Sequence, residues 1–250
     1  MPPAPDFGPL DVTDFTVGAM LRSGIALRRA VRDCPTLEAA AGTIVRYLFD
    51  HCVDIRTGER SCPLVRFYKT HRYDALEPAL QEFVRKQLGG EPPRHDLRCL
   101  TLLGTAGEEA GWNSRHQSRA HRAIPLASAE SVRAAPMIAR LIEDLGLDLD
   151  TVVAGGETTV RSTEARTYDV FHVEQALGSP VIPAQEEFVI PYAIRSVVGF
   201  GGVLRSSELF AVVLFSRAPI SAASAQRFRT IALDIRSALF PIDEAHTWSE

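Results

Sequence analysis

A histidine within an apolar segment is the first residue of this sequence that could bind a metal or a small molecule. His172 stands in "VFHV" and is followed two residues later by Glu174. Because alternate residues of a strand point to opposite faces, His172 would share a face with Val170 and Glu174. A neutral imidazole there could ligate haem iron or hydrogen-bond a ligand. No second metal ligand stands at a recognisable spacing, so a hydrogen-bonded core or edge histidine is the alternative. The cofactor is therefore unknown, with haem as one candidate.

A basic loop is the second candidate. Residues 111–122 read "GWNSRHQSRAHR" and hold three arginines, two histidines and a tryptophan. As a lid over a pocket, the loop would recognise an anion through its guanidinium groups and stack a ligand on its indole. The side chains concerned are Trp112, Arg115, Arg119, His121 and Arg122. An ordinary solvated loop is the alternative, and a zinc site is not expected, because His116 and His121 are five residues apart.

The four cysteines, Cys34, Cys52, Cys62 and Cys99, form no CxxC pair. Neither a zinc ribbon nor a thioredoxin-type dithiol is therefore indicated, and reduced thiols are expected. Cys52, Cys62 and Cys99 could converge in the fold and support thiol chemistry, which needs at least one accessible cysteine of low pKa. Because no Gly-x-Ser-x-Gly, HExxH or Cys-His arrangement is present, the sequence favours binding over catalysis.

The glycines of "GFGG" (residues 199–202) are followed by a second apolar segment, "LFAVVLF", and not by a helix. A phosphate-binding loop needs a helix N-terminus after its glycines, so the pattern predicts a β-hairpin with its turn at residues 205–208. Glycine within a strand costs about 0.5–1 kcal/mol relative to alanine and marks a bulge or a close approach. Either a packed helix lies on the glycines, or they form a pocket floor beside Phe200, walled by His172 and Tyr192.

The chain has 250 residues, with 31 acidic and 27 basic side chains and a net charge of −4. That balance disfavours nucleic acid as a partner, because no strongly basic face is left to neutralise phosphates. It also disfavours a polybasic membrane anchor. No apolar run approaches the roughly 20 residues that span a bilayer, and the N-terminus lacks the pattern of a signal peptide. We therefore expect a soluble, cytoplasmic protein without membrane contact.

Periodicity and capping residues predict the order of elements. The predicted helices cover residues 15–32, 37–52 after an N-cap at Thr36, 74–88 with a capping box of Asp74 and Glu77, 137–145, and 222–240 after an N-cap at Ser221. The predicted strands cover residues 63–69, 98–104, 122–126, 168–173, 197–204 and 209–215. Residues 152–167 are polar and predict an exposed loop.

The C-terminal elements follow a recognisable order. Ile194 and Ser196 open an apolar strand, a turn and a second apolar strand follow, and Ser216, Pro219 and Ser221 precede the last helix. This arrangement resembles the end of a GAF domain. The likeness is specific from residue 194 to residue 240 and extends in outline back to residue 36. An extra helix between the first two strands departs from the family pattern. So does the absence of the motifs by which family members bind cyclic nucleotides or attach bilins.

The resemblance implies an α+β fold: an antiparallel sheet of five to six strands, with the terminal helices on one face and a small-molecule pocket on the other. It divides the chain into an N-terminal extension and helix (1–35), a sensory domain (36–241) and a tail (242–250). It also implies a role in bacterial signal transduction, beside a histidine kinase or another output. The apolar stripe of the first helix has no obvious place in the core, which favours a homodimer.

We therefore expect a non-enzymatic sensory domain that binds a small molecule or cofactor and signals through a helix-mediated dimer. A thiol- or haem-dependent small enzyme on the same fold is the alternative. The residues expected to bind the ligand are Trp112, Arg115, Arg119, His121, His172, Tyr192, Phe200 and Gly201.

Overall fold

The computed structural model describes residues 8–90, 92–118, 121–154, 170–243 and 247–248. Within these ranges the helices are α1 (Val17–Ala30), α2 (Leu37–His51), α3 (Pro78–Gln87), α4 (Ala129–Arg133), α5 (Pro136–Asp144), α6 (Leu149–Ala154) and α7 (Ala222–Leu239). The strands are β1 (Leu64–Arg72), β2 (Arg98–Gly107), β3 (Ala123–Pro125), β4 (Phe171–Val173), β5 (Ser196–Val203) and β6 (Leu209–Ser216). A π-helical turn covers Gln185–Val189. None of the described helices is long and apolar enough to cross a membrane.

The strands form one sheet in the order β3-β2-β1-β6-β5-β4, and each neighbouring pair is antiparallel. Strands β5 and β6 make the predicted hairpin, in which Val197 lies opposite Phe215 and Val203 opposite Leu209. The glycines therefore lie inside a strand and not at a helix N-terminus. An antiparallel sheet with its long helices on one face is an α+β architecture. The predicted α+β fold class, an antiparallel sheet of five to six strands with the terminal helices on one face, is confirmed.

Helices α1, α2 and α7 cover one face of the sheet, and α1 also packs against α7. Phe200 of β5 stacks on Phe228 of α7 with ring centroids 5.1 Å apart. Phe15, just before α1, lies 4.7 Å from the same ring. Since all three side chains are fully buried, each contributes about 1.5–3 kcal/mol to folding. These rings fix the terminal helices to the sheet.

The middle of the chain covers the opposite face. Leu141 of α5, Leu147 after it and Val189 of the π-helical turn pack with Val197 and Val213 of the sheet in a second apolar cluster. This cover consists of short helices and turns, and it encloses a cavity described below. The face that lacks the long helices is thus the face that can receive a ligand.

Side-chain caps explain where two of the helices begin. The Thr36 hydroxyl accepts a hydrogen bond from the Ala39 backbone N–H at 3.1 Å, and the Ser221 hydroxyl accepts one from the Ser224 N–H at 3.2 Å. Such caps satisfy backbone donors that have no partner within the helix. Both predicted N-caps are confirmed.

Two local predictions are wrong. Asp74 does not cap α3, which begins at Pro78, a residue that suits the first turn because it has no N–H to satisfy. The Asp74 carboxylate instead accepts a hydrogen bond from the Arg72 guanidinium at 2.6 Å. The predicted loop starts inside α6, where Val152 is buried in the second apolar cluster. The remainder of that prediction, residues 155–167, lies outside the described residues.

Candidate functional site

A cavity of about 780 Å³ lies on the sheet face opposite α1, α2 and α7. Its floor comes from the three central strands: Leu64, Arg66 and Tyr68 of β1, Leu100 of β2, and Val213 and Phe215 of β6. Its walls come from α3, α5 and the connecting segments: Phe83, Gln87, Trp112, His121, Ile124, Met137, Ile138, Leu141, Ile182, Pro183 and Phe188. The volume and the mostly apolar lining are typical of small-molecule sites.

Arg66 is the central polar group of this cavity. Its Nη1 donates a hydrogen bond to the Tyr68 hydroxyl at 3.2 Å, and among the residues that the structure describes its buried Nε has no hydrogen-bond partner. The pair lies on the cavity side because β1 places alternate residues on opposite faces. An arginine side chain carries five N–H donors and a permanent charge. Within the described residues, the floor therefore presents a cation with unused donors to a mostly apolar space.

His121 stands on the cavity wall in a strained backbone conformation. Its φ of 59° lies in the left-handed region, which residues other than glycine rarely adopt and which often occurs at functional sites. Partial withdrawal of its ring from water, and then the positive charge of Arg66, lower the pKa of His121. The imidazole is therefore neutral at pH 7 and can either donate or accept a hydrogen bond.

An aromatic cluster forms one wall of the cavity. The Trp112 ring lies 4.6 Å from that of Tyr192 and 5.6 Å from that of Phe188, which meets Phe215 edge-on at 5.0 Å. Gly107 admits the indole, since a Cβ there would lie 2.8 Å from Trp112. Trp112, Phe188 and Phe215 line the cavity, so a flat apolar group could stack against them.

The structure places the predicted site residues in different surroundings. Trp112 and His121 line the cavity, whereas Tyr192 supports Trp112 and donates its hydroxyl hydrogen to Glu109 at 3.0 Å. Arg119 lies outside the described residues. The role of these residues in ligand binding stays a prediction.

Phe200 and His172 lie on the other face, so the prediction that they wall the cavity is wrong. Phe200 packs against α7, as described above, and His172 shares its face with the core residue Val170. The His172 Nε2 lies 2.8 Å from the Ile220 carbonyl oxygen, an acceptor, and therefore carries a hydrogen. The alternation of the strand was correct, but the face covered by the terminal helices is the one that holds His172.

The glycines do not form the floor either. A Cβ at Gly201 would lie 2.0 Å from the Phe210 carbonyl oxygen, so the approach that excludes a side chain is that of the neighbouring strand's backbone. A Cβ at Gly199 would lie 2.6 Å from Leu141 of α5. The structure therefore confirms the close-approach interpretation of glycine in a strand and corrects the predicted pocket floor at Gly201.

Arg115 serves a structural ion-pair network away from the cavity. Its guanidinium donates to Glu38 at 2.5 Å and to Glu77 at 2.7 Å, and the hydrogen bond to Glu77 lowers the pKa of that carboxyl. The same guanidinium lies 4.9 Å from the Trp248 ring. Arg115 thus joins α2, the start of α3 and the C-terminal segment, which corrects the prediction that it lines a ligand pocket.

The cysteines do not converge into one site. Cys52 and Cys62 lie side by side, and the hydrogen bond between them, followed by burial, raises the pKa of Cys52 well above its usual value. Cys99 belongs to another cluster beneath α3, where burial raises its pKa to about 12. Nucleophilic thiols need the opposite shift. Among the residues that the structure describes, no three His, Cys, Asp or Glu side chains could together hold a metal ion.

A wider depression of about 1200 Å³ lies elsewhere on the surface, around residues 53–61. Six of the ten charged side chains that line it pair with one another: Arg56 with Asp54, Arg60 with Asp50, and Arg217 with Glu108. Because most of its charges are paired, it is a weaker candidate than the cavity at Arg66.

Sequence reasoning missed Arg66 and Tyr68. The signal was present, since Arg66 interrupts the apolar run of the predicted strand 63–69. A charged residue in a central strand is uncommon in a folded protein and usually has a partner or a function.

Comparison with solved structures finds chains of similar fold. The free methionine-R-sulfoxide reductase from Neisseria meningitidis is 12% identical with a TM-score of 0.45, covering 89% of this chain and 89% of that one. The GAF domain of a phosphoenolpyruvate-protein phosphotransferase from Coxiella burnetii is 10% identical with a TM-score of 0.47, covering 88% and 92%. The phycoerythrobilin-bound GAF domain of a cyanobacterial phytochrome is 12% identical with a TM-score of 0.45, covering 91% and 98%.

At such identities and TM-scores the likeness assigns no activity or ligand to this chain. No protein-family model and no curated protein matches the sequence.

Proposed function

We propose that the chain is a small-molecule-binding sensory domain of a cytoplasmic bacterial signalling protein. The observation that supports this function is the cavity at Arg66, which combines an apolar lining with a few convergent polar groups. The hydrogen bond with Cys62, followed by burial, raises the pKa of the Cys52 thiol, and burial raises that of the Cys99 thiol, which weighs against the thiol-dependent enzyme.

The sheet offers a direct physical route from this cavity to the terminal helices. In β1, Arg66 and Tyr68 line the cavity. Val65 and Phe67 alternate with them along the strand and pack on the opposite face, in the core beneath the helices. Phe67 stacks on Phe210 of β6 at 5.7 Å on that side. A ligand that shifts β1 would also shift the side chains that β1 packs against the helices. The reason is that a close-packed core transmits a displacement from one side chain to the next.

A cavity-filling variant tests the binding function. Ile138 of α5 is a half-buried wall residue, and Ile138→Trp would occupy the space in which a ligand would lie. Ile190→Trp is the matched control, because Ile190 is exposed and lies outside the cavity lining. Screening by thermal shift and calorimetry should find compounds that bind the parent and the control but not Ile138→Trp. If every binder binds all three proteins equally, the cavity is not the sensory site.

We also propose that a homodimer forms through α1 and transmits the signal to a histidine kinase or another output. Val17, Leu21 and Ile25 stand on one side of α1 at intervals of four and remain 55%, 53% and 37% exposed. Such a stripe is typical of a helix that packs on a second chain. Leu21→Glu should shift the dimer towards monomer in light scattering, whereas the equally exposed Leu177→Glu should not. A parent protein that is already monomeric at tens of micromolar would remove the dimer from the proposal.

A further inference from the structure

The charge balance of the cavity is one-sided. Its described lining contains one permanently charged group, Arg66, and no aspartate or glutamate. Arg66 also forms no ion pair with any carboxylate in the part of the chain that the structure describes, and its one hydrogen bond goes to the neutral Tyr68 hydroxyl. A buried or half-buried cation without a counter-charge is costly, and most such arginines are paired. The described lining of the cavity therefore offers Arg66 no counter-charge.

The neighbouring polar groups do not supply that anion. The imidazole of His121 carries no negative charge in either protonation state, and partial burial, followed by the positive charge of Arg66, lowers its pKa. The Gln87 side chain donates its amide hydrogen to the Ala123 carbonyl at 3.0 Å and is thereby directed to the protein backbone. Around Arg66 the remaining lining is apolar or aromatic, with Leu100, Ile138 and Phe215 among its members.

We propose that the cavity selects an amphipathic monocarboxylate, with the carboxylate paired to Arg66 and the apolar body against Trp112 and α5. A planar carboxylate matches the planar guanidinium in a bidentate pair, and the Tyr68 hydroxyl lies within hydrogen-bond distance of the same guanidinium. A single cation neutralises a single negative charge, so a dianion such as a phosphate monoester would keep uncompensated charge among apolar walls. A cationic ligand would be repelled by Arg66, and a polyol would leave most of its hydroxyls unpaired.

This inference rests on the proposed binding function and names its ligand class. The test uses compounds that share one body and differ in the head group: decanoate, decanol and decylamine, and 4-phenylbutyrate with its alcohol and its amine. Calorimetry on the full chain should rank the carboxylates first. Arg66→Met should weaken carboxylate binding by about 10- to 100-fold, the factor expected for a charge-assisted hydrogen bond, and leave the alcohols unaffected.

Two further variants keep the test decisive. Arg66→Lys retains the charge but not the bidentate geometry, so it should keep the preference for carboxylate over amine at reduced affinity. Arg94→Met removes an exposed arginine that does not line the cavity and should bind like the parent. Removing the unpaired cation should also leave the empty Arg66→Met protein at least as thermally stable as the parent. That result would separate loss of binding from loss of folding.

The outcomes are distinguishable. If alcohols or amines bind the parent as tightly as the carboxylates, or if Arg66→Met binds the carboxylates as tightly as the parent does, the monocarboxylate inference is overturned and the cavity function stands. If no head group on either body binds the parent, both fail.

Discussion

Removal of Asp243 tests how the segment after α7 is held to the sheet. Its carboxylate is fully buried and lies 3.7 Å from the ammonium group of Lys69, whose side chain is 4% exposed. It also accepts hydrogen bonds from the Ser206 N–H at 2.8 Å and the Ser206 hydroxyl at 3.0 Å. Asp243→Ala leaves both the buried ammonium group and the Ser206 donors without their partner. Breaking a buried ion pair in this way costs about 3–5 kcal/mol of unfolding free energy.

The pH dependence of this loss follows from Lys69. Burial lowers the pKa of Lys69, and the negative charge of Asp243 opposes that lowering. Lys69 therefore loses its proton at a lower pH in the native state than in the unfolded chain. Between these two pKa values the unfolded state binds more protons, so the free energy of unfolding rises with pH. Asp243→Ala widens this pH window, because Lys69 loses Asp243, the stronger of the two carboxylates that oppose the effect of burial, and keeps Glu208. The cost of the substitution should therefore be greatest near pH 7 and shrink towards pH 10.

Urea unfolding followed by fluorescence or circular dichroism measures these free energies. Glu82→Ala is the control, because it removes the carboxylate of an exposed ion pair with Lys86. This substitution should lower the unfolding free energy by less than about 1 kcal/mol. Lys69→Met combined with Asp243→Ala should recover most of the loss, since the uncompensated charge is gone. An Asp243→Ala cost no larger than that of Glu82→Ala, or no recovery in the double variant, would refute the reasoning.

Three other substitutions or treatments give definite expectations. Gly201→Val should destabilise the protein by about 3 kcal/mol or more, because its Cβ would lie 2.0 Å from the carbonyl oxygen of Phe210 in the adjacent strand. Denaturant titration measures the change, with Gly111→Ala as the control, since a Cβ at Gly111 would meet open space. Trp248→Ala should raise the pKa of His71 from about 3 towards 6.5, because burial is the main cause of the low value and the Trp248 ring lies 5.1 Å from the imidazole. An unchanged pKa in an NMR titration would contradict this. Cys99 should resist a thiol reagent until the protein unfolds, since burial raises its pKa to about 12, and rapid labelling of the native state would count against the buried site.

The sequence by itself determined the elements whose causes are local. The hairpin of β5 and β6 follows from two apolar runs around a turn, and the starts of α2 and α7 follow from Thr36 and Ser221 as N-caps. These signals depend on neighbours within a few residues, so they can be read along the chain. The predicted capping box of Asp74 and Glu77 is absent, although it is also a local signal. A second local signal, Pro78, stands a few residues later, and α3 begins there.

Only the tertiary structure decided what each face of the sheet meets. Alternation showed that His172 and Phe171 point to opposite sides, but not which side α7 covers, and that choice placed Phe200 in the helical core. Likewise, the sequence shows that Gly201 lacks a side chain, whereas the approach of the Phe210 carbonyl depends on strand pairing. The importance of Arg66 rests on the absence of a carboxylate from the described lining around it, and that is a property of the assembled cavity. Such a property arises only when segments distant in sequence are brought together.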